Sequence, residues 1–203
     1  VGAAPSTVAV VYAGPISGFG SVIVNGARFS SVGATLRDDD GQSIQLNGLK
    51  LGMTVRVSGD VDDSLQQGSA SQLELVHGTR GTISAVNTSS ASLTVLGQTV
   101  LTNAATAYQG AANLAALVVG QAVEVFGAQQ ADGSLLATLV EVKALSALSL
   151  TGVVSGLTAT GFQVGALSVS YRPEQVSGTL AEGKRVRVQA ALTGLVGNVL
   201  TAS

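Results

Sequence analysis

The residues with most potential for chemistry are few and scattered. His77 is the sole histidine, and the sequence holds no cysteine. Neither a nucleophile–histidine–carboxylate triad nor a zinc site of nitrogen and sulfur ligands can be assembled around it. Standing at the end of a repeat, His77 reads as a solvated linker residue. Two acidic runs, Asp38-Asp39-Asp40-Gly41 and Asp60-Val61-Asp62-Asp63, raise calcium, a hard cation that takes several carboxylate oxygens. Neither has the spacing of a calcium loop, and acidic residues are ordinary turn formers, so both read as polar turns. Lys184, Arg185 and Arg187 form a small basic cluster, suited to an acidic partner or to the charged outer face of a strand. Tyr108, Phe162 and Tyr171 offer rings for stacking on a sugar or for capping a small core. The glycines sit at strand turns rather than before helices, so no phosphate-cradling loop is formed. The expectation is a non-enzyme, with no catalytic residue, no metal-ligand set and no cofactor.

These residues are positioned by a segment that recurs three times. It runs Leu49-Lys50-Leu51-Gly52-Met53-Thr54-Val55-Arg56-Val57-Ser58-Gly59 first, then Leu117 to Gly127, then Leu180 to Ala190. The pattern is L-x-x-G-x-x-V-x-V-x-[G/A]. A structural turn glycine, Gly52, Gly120 or Gly183, precedes a strand whose valines face one side and whose polar residues face the other.

Composition narrows the class. Hydrophobic residues make up 46% and charged residues 11%, against about 25% charged in typical globular chains. So little charge suggests that other molecules cover part of the apolar surface. A net charge of −2 argues against nucleic acid, which binds through phosphate neutralisation. No membrane span is expected: the most apolar window, Leu114 to Phe126, is broken by Gly120, Gln121 and Glu124, short of the roughly 20 apolar residues a spanning helix needs. A transmembrane barrel would want aromatic girdles, and aromatics are only 3%. Without cysteine there is no disulfide framework. A start at Val1 rather than Met fits a processed, exported form.

Along the chain, residues 1–13 read as an N-terminal extension whose Thr7 to Tyr12 run is β-prone and ended by Gly14-Pro15. Residues 14–77 form repeat one, with a hairpin at Asn25-Gly26. Residues 78–143 form repeat two, in which Gly81-Thr82-Ile83-Ser84 matches Gly14-Pro15-Ile16-Ser17 and Asp132-Gly133 makes another hairpin. One helical turn is expected over Asn113 to Leu117. Residues 150–203 form repeat three, starting Gly152-Val153-Val154-Ser155 and shorter in its middle. Short strands punctuated by glycine turns, in units of this size, suit a small closed barrel that leaves no sheet edge. The fold class expected is all-β, three tandem small barrels of the oligonucleotide/oligosaccharide-binding (OB-like) kind with an extra N-terminal strand. A three-unit sandwich array is the alternative.

The run Gly14 to Gly26, the Leu93-Thr94-Val95-Leu96-Gly97-Gln98-Thr99-Val100 hairpin and the recurring L-x-x-G-x-x-V-x-V strands resemble the domain-of-unknown-function 5666 family. The resemblance implies repeated small β-barrel units in an exported bacterial protein, hence an extracytoplasmic location (secreted, cell surface or periplasmic). It implies no catalytic residues.

The two ends suggest a mode of assembly. Aligned on Gly197, repeat three lacks the second half of the closing strand that repeats one and two possess. Val8, Val10, Val11 and Tyr12 lie in a strand apolar on both faces with no obvious place in repeat one. The expectation is strand donation: Val8 to Tyr12 of one subunit joins the edge Val199, Leu200, Thr201, Ala202 of the next. Such head-to-tail contacts build a homopolymeric surface or matrix filament unless a ring closes. The competing expectations are that Val8 to Tyr12 pairs within its own chain, and that the protein is a binding module for a glycan or an envelope protein partner.

Overall fold

The computed structural model describes residues 7–62 and 66–203, and its regular elements are strands and short 3-10 turns. The chain divides into two compact units, Val1–His77 and Gly78–Ser203. Asp63 of the second acidic run lies outside the described residues. Among the described residues, no helix is long and apolar enough to cross a membrane.

The first unit contains β1 (Thr7–Gly18), β2 (Val22–Val24), β3 (Ala27–Ser30), β4 (Thr35–Asp38), β5 (Thr54–Asp62) and β6 (Gln67–Leu75). β1 to β3 form an antiparallel meander whose second turn places Asn25 at φ 51 and Gly26 at φ 82. That is the turn the Asn-Gly pair favours, since both central residues need positive φ. β3 then runs parallel to the start of β6, β6 pairs antiparallel with β5, and β5 pairs antiparallel with β1. The pairings close a ring, β1-β2-β3-β6-β5, and β4 lies parallel to the second half of β6. Alternation fills the interior: Ile16, Val22, Val24, Phe29, Val55, Val57 and Leu73 are buried.

β1 differs from the expected extension. It is one strand through Gly14-Pro15, pairing with β5 without interruption from Thr7↔Asp62 to Pro15↔Thr54. Pro15 does not end it, because its missing N–H falls on the side of the strand facing away from β5 and removes no bond from that ladder.

The second unit contains β7 (Thr79–Asn87), β8 (Ser92–Val95), β9 (Gln98–Leu101), β10 (Ala107–Gln109), β11 (Ala122–Gln129), β12 (Leu135–Val142), β13 (Leu148–Ser155), β14 (Gly161–Val164), β15 (Leu167–Ser170), β16 (Arg185–Ala190), β17 (Leu195–Val196) and β18 (Val199–Thr201). β7-β8-β9-β12-β11 closes a ring with the same order and strand directions as the first unit, and β10 lies parallel to β12 as β4 does to β6. β13, β14, β15, β18 and β17 follow the same order again. There β16 and β17 divide the strand that is continuous as β5 and β11, and β16 pairs along its length with β13. β13 also pairs with β7, and a single core joins both sets of strands, from Ile83, Val125 and Leu135 to Leu150, Phe162 and Leu200.

The recurring segment behaves alike each time. A 3-10 turn precedes it at Leu46–Gly48, Leu114–Ala116 and Pro173–Gln175, the second capped by the Asn113 side chain, which accepts from the Ala116 N–H. Gly52, Gly120 and Gly183 have φ of +84°, +93° and +73°. Their N–H groups donate to Ile16, Ile83 and Val154 carbonyls, each at 2.9 Å, so the turn fastens the segment to the first strand of its repeat. At the end of the recurring segment, β5 and β11 bulge against their neighbours at Ser58/Gly59 and Phe126/Gly127.

Candidate functional site

The feature of the first unit that calls for a partner is the second edge of β1. Ile16 donates its N–H to Met53 and accepts from Gly52, both at 2.9 Å, so both of its backbone groups turn toward β5. In an uninterrupted antiparallel register this parity holds every second residue. Gly14, Tyr12, Val10 and Val8 therefore bond to β5, while Ala13, Val11 and Ala9 aim their backbone groups the other way. Asn25 agrees with this assignment, since its Nδ2 donates to the Ala13 carbonyl at 3.0 Å. β2 covers that side of β1 only at Ile16 and Gly18. Among the described residues no strand pairs with the edge from Thr7 to Ala13.

The side chains divide along the same strand. Tyr12 packs edge-on against the buried Phe29, with ring centroids 5.3 Å apart, and Val10 is half-buried. Val11 is 67% exposed and Val8 49%. A shallow groove of about 390 Å³ lies across β1, β5 and β6, from Ala9 and Val11 through Ser58 and Asp60 to Ser71. The edge is thus apolar in side chains and carries unpaired main-chain donors and acceptors, the combination that takes up a further strand.

The edge proposed as acceptor is arranged otherwise. Val199, Leu200 and Thr201 form β18, which has β15 on one side and β17 on the other, and the Ala202 N–H donates to Ser170. Leu200 is fully buried. In the same region β16 pairs with β13, and its Gln189 carbonyl accepts from the Ser203 N–H at 3.0 Å.

The residues singled out for chemistry are placed as follows. His77 is not a solvated residue; it is 5% exposed. Its N–H donates to Asp39 Oδ2 at 3.0 Å and its Nδ1 pairs with Asp39 Oδ1, so the carboxylate fastens the end of the first unit to the turn after β4. Sequence spacing could not foresee this, because the partners are far apart along the chain. Asp38 caps its own turn, Oδ1 accepting from the Asp40 and Gln42 N–H groups at 3.0 and 2.8 Å. Asp60 and Asp62 lie on β5, not in a turn, because β5 extends to meet the start of β1. Lys184 and Arg185 are exposed and Arg187 is half-buried. Phe162 is buried and packs against Tyr171 at 5.6 Å, while Tyr108 packs on the same core. All three rings pack on a core, Phe162 buried and the two tyrosines half-buried.

One cluster escaped the sequence reading. Glu124 alternates with the valines of the recurring strand, a position expected to face solvent, yet its side chain is 4% exposed. Arg80 Nε donates to Glu124 Oε1 at 2.6 Å and Lys143 Nζ to Oε2 at 2.7 Å. Arg80 and Glu141 are the cross-strand neighbours of Glu124 on β7 and β12. The equivalent row in the first unit is an exposed Arg56–Glu74 pair at 2.5 Å. The row is a charged ladder that ties three adjacent strands, and its burial in the second unit makes it structural. The Asp132 carboxyl is held below its ordinary value of 3.8 because the Ser134 hydroxyl and N–H both donate to it.

Together these features define an all-β protein with small closed barrels and, among the described residues, an open apolar edge on β1. The chain belongs to the domain-of-unknown-function 5666 family (DUF5666), which it matches over residues 11–69 and 80–141, the two segments that form the closed rings. No curated protein matches the sequence.

Proposed function

We propose that this chain is a non-enzymatic, extracytoplasmic structural protein that assembles with copies of itself by pairing open strand edges, its repeats being three OB-like barrels. One observation carries the reading: β1 offers main-chain groups at Ala9 and Val11 with no strand beside them among the described residues, next to the exposed Val8 and Val11. The family resemblance supports the extracytoplasmic setting, and the strand order β1-β2-β3-β6-β5 supports the OB-like reading. The head-to-tail filament expected from the sequence required β1 to leave its chain for β18. With β1 held along its length by β5, and β18 flanked on both sides, edge pairing is the mode the geometry favours over strand transfer.

Sedimentation velocity of the intact chain from about 1 µM to about 1 mM, with negative-stain imaging, tests the proposal over the range of weak to moderate self-affinity. Association that grows with concentration is expected. A single monomeric species throughout would refute it. Deleting residues 1–13 is not a clean test, since it removes half of the strand that closes the first barrel.

A second reading, a module that binds a glycan or an envelope protein, is favoured by the strand order, which elsewhere presents a binding face. Saturable binding of a defined glycan by a chain that stays monomeric would establish it in place of the first.

A further inference from the structure

The second unit contains a natural example of what the β1 edge can do. Alignment of Gly14-Pro15-Ile16-Ser17 with Gly81-Thr82-Ile83-Ser84 and Gly152-Val153-Val154-Ser155 makes β7 and β13 the counterparts of β1. Tyr12 corresponds to Thr79 and Leu150, Ala13 to Arg80 and Thr151, and Val11 to Gly78 and Ser149. In the structure Leu150 pairs with Thr79, and Ser149 pairs with Arg80, antiparallel. The Thr151 N–H donates to the Gly78 carbonyl at 3.3 Å, and Thr79 Oγ1 donates to the Ser149 carbonyl at 3.1 Å. The Ser149–Arg80 pair and the Thr151–Gly78 bond therefore join the position of Val11 in one repeat to that of Ala13 in the other, in both directions, around a pair of residues that both correspond to Tyr12. The two repeats are stitched through a local two-fold axis. The Gln98 and Gln129 side chains reinforce the junction by donating to the Thr151 carbonyl at 3.1 and 2.8 Å.

From this pairing we infer that β1 docks against β1 of a second copy of the chain, antiparallel about a two-fold axis at Tyr12, in the register that joins β7 to β13. The inference rests on the self-association proposed above and specifies its geometry. The same parity that leaves the Val11 and Ala13 backbone groups unused by β5 presents them at this axis: the Ala13 N–H of each copy donates to the Val11 carbonyl of the other. The Ala13 carbonyl already accepts from Asn25 and retains a second lone pair. The occupant is another copy rather than an unrelated strand because the chain's own repeats join in this way, edge to edge and in this register. A contact of this kind uses the same patch on both partners and closes on itself, so its product is a dimer.

The test exploits that symmetry. Val11 of one copy lies diagonally across the axis from Val11 of the other, within reach of long side chains. V11K alone and V11E alone place like charges there, and each is expected to weaken association about tenfold or more relative to the parent. An equimolar mixture of the two is expected to restore dimers that contain one of each, within about threefold of the parent affinity. Val11 is exposed, so both variants are expected to fold, with matching far-UV spectra and melts as the check. Two results overturn the inference while leaving self-association standing: variants that associate as the parent does, or a mixture no tighter than its components, as a head-to-tail contact would give. A parent chain that stays monomeric throughout overturns the self-association reading itself.

Discussion

The last position of the recurring pattern is glycine in the first two repeats and alanine in the third, and the bulges account for the difference. At Gly59 a Cβ would fall under 3.0 Å from the Ser69 carbonyl oxygen; at Gly127 it would do the same to the Leu136 carbonyl oxygen. Both obstructing atoms are backbone in the neighbouring strand, so no side chain can swing aside. Ala190 ends β16, where among the described residues no strand pairs with it in the place of β6 or β12, and Ala190 is fully buried. Gly59→Ala is therefore expected to push β5 and β6 apart at the bulge. Overpacking of this kind costs about 1–3 kcal/mol, and a weakened ladder bond adds about 1 kcal/mol, giving a destabilisation near 3 kcal/mol. For a unit the size of Val1–His77, about 4–8 °C per kcal/mol translates this into a fall of about 12–24 °C in Tm. Gly127→Ala should act likewise on the second unit. Ala190→Gly, which removes one buried methyl and frees the backbone, should cost only about 1 kcal/mol. Differential scanning calorimetry of the three variants decides the matter. A Gly59→Ala melt within about 2 °C of the parent would show that the bulge is not held by the absence of a Cβ.

Two further outcomes are expected. Val at Gly120 or Gly183 meets open space, but there, as at Gly52, it must adopt positive φ, which for a β-branched residue costs about 1–3 kcal/mol, whereas Asn should be tolerated far better; urea titrations of the Val and Asn variants should separate, and coincident curves would contradict the turn assignment. Asp132 should titrate below 3.8 by NMR, and Ser134→Ala should bring its midpoint back up toward that value. Because its folded pKa is depressed, the stability it contributes is present above 3.8 and is lost as the pH falls through the lower folded value, a loss that Ser134→Ala should shrink.

Much of the local structure was legible. The Asn25-Gly26 and Asp132-Gly133 turns and the helical turn before the second recurring strand follow from conformational preferences that a few adjacent residues determine. The alternating valines correctly marked the inward faces of β5, β11 and β16, because period two is a property of the strand itself. What lies on the outward face is not. Arg56 is exposed and Glu124 buried at the same point of the pattern, the difference being the strands and side chains gathered around β11. His77 was misread for the same reason, its partner Asp39 being brought to it by the parallel pairing of β4 with β6. The run Val8 to Tyr12 looked surplus because its partner, the end of β5, lies some 50 positions away along the chain. The joining of β7 to β13 left no mark in either strand that composition could reveal.

That junction has an arithmetic consequence. A stitch that links first strands through a two-fold axis uses them two at a time and cannot be extended to a third. Arrays built from such repeats are therefore counted in pairs: an even number can satisfy every first strand internally, and an odd number leaves one to be met from outside. Gain or loss of a single repeat by unequal recombination would toggle the molecule between self-contained and sticky, without altering any residue at the surface concerned.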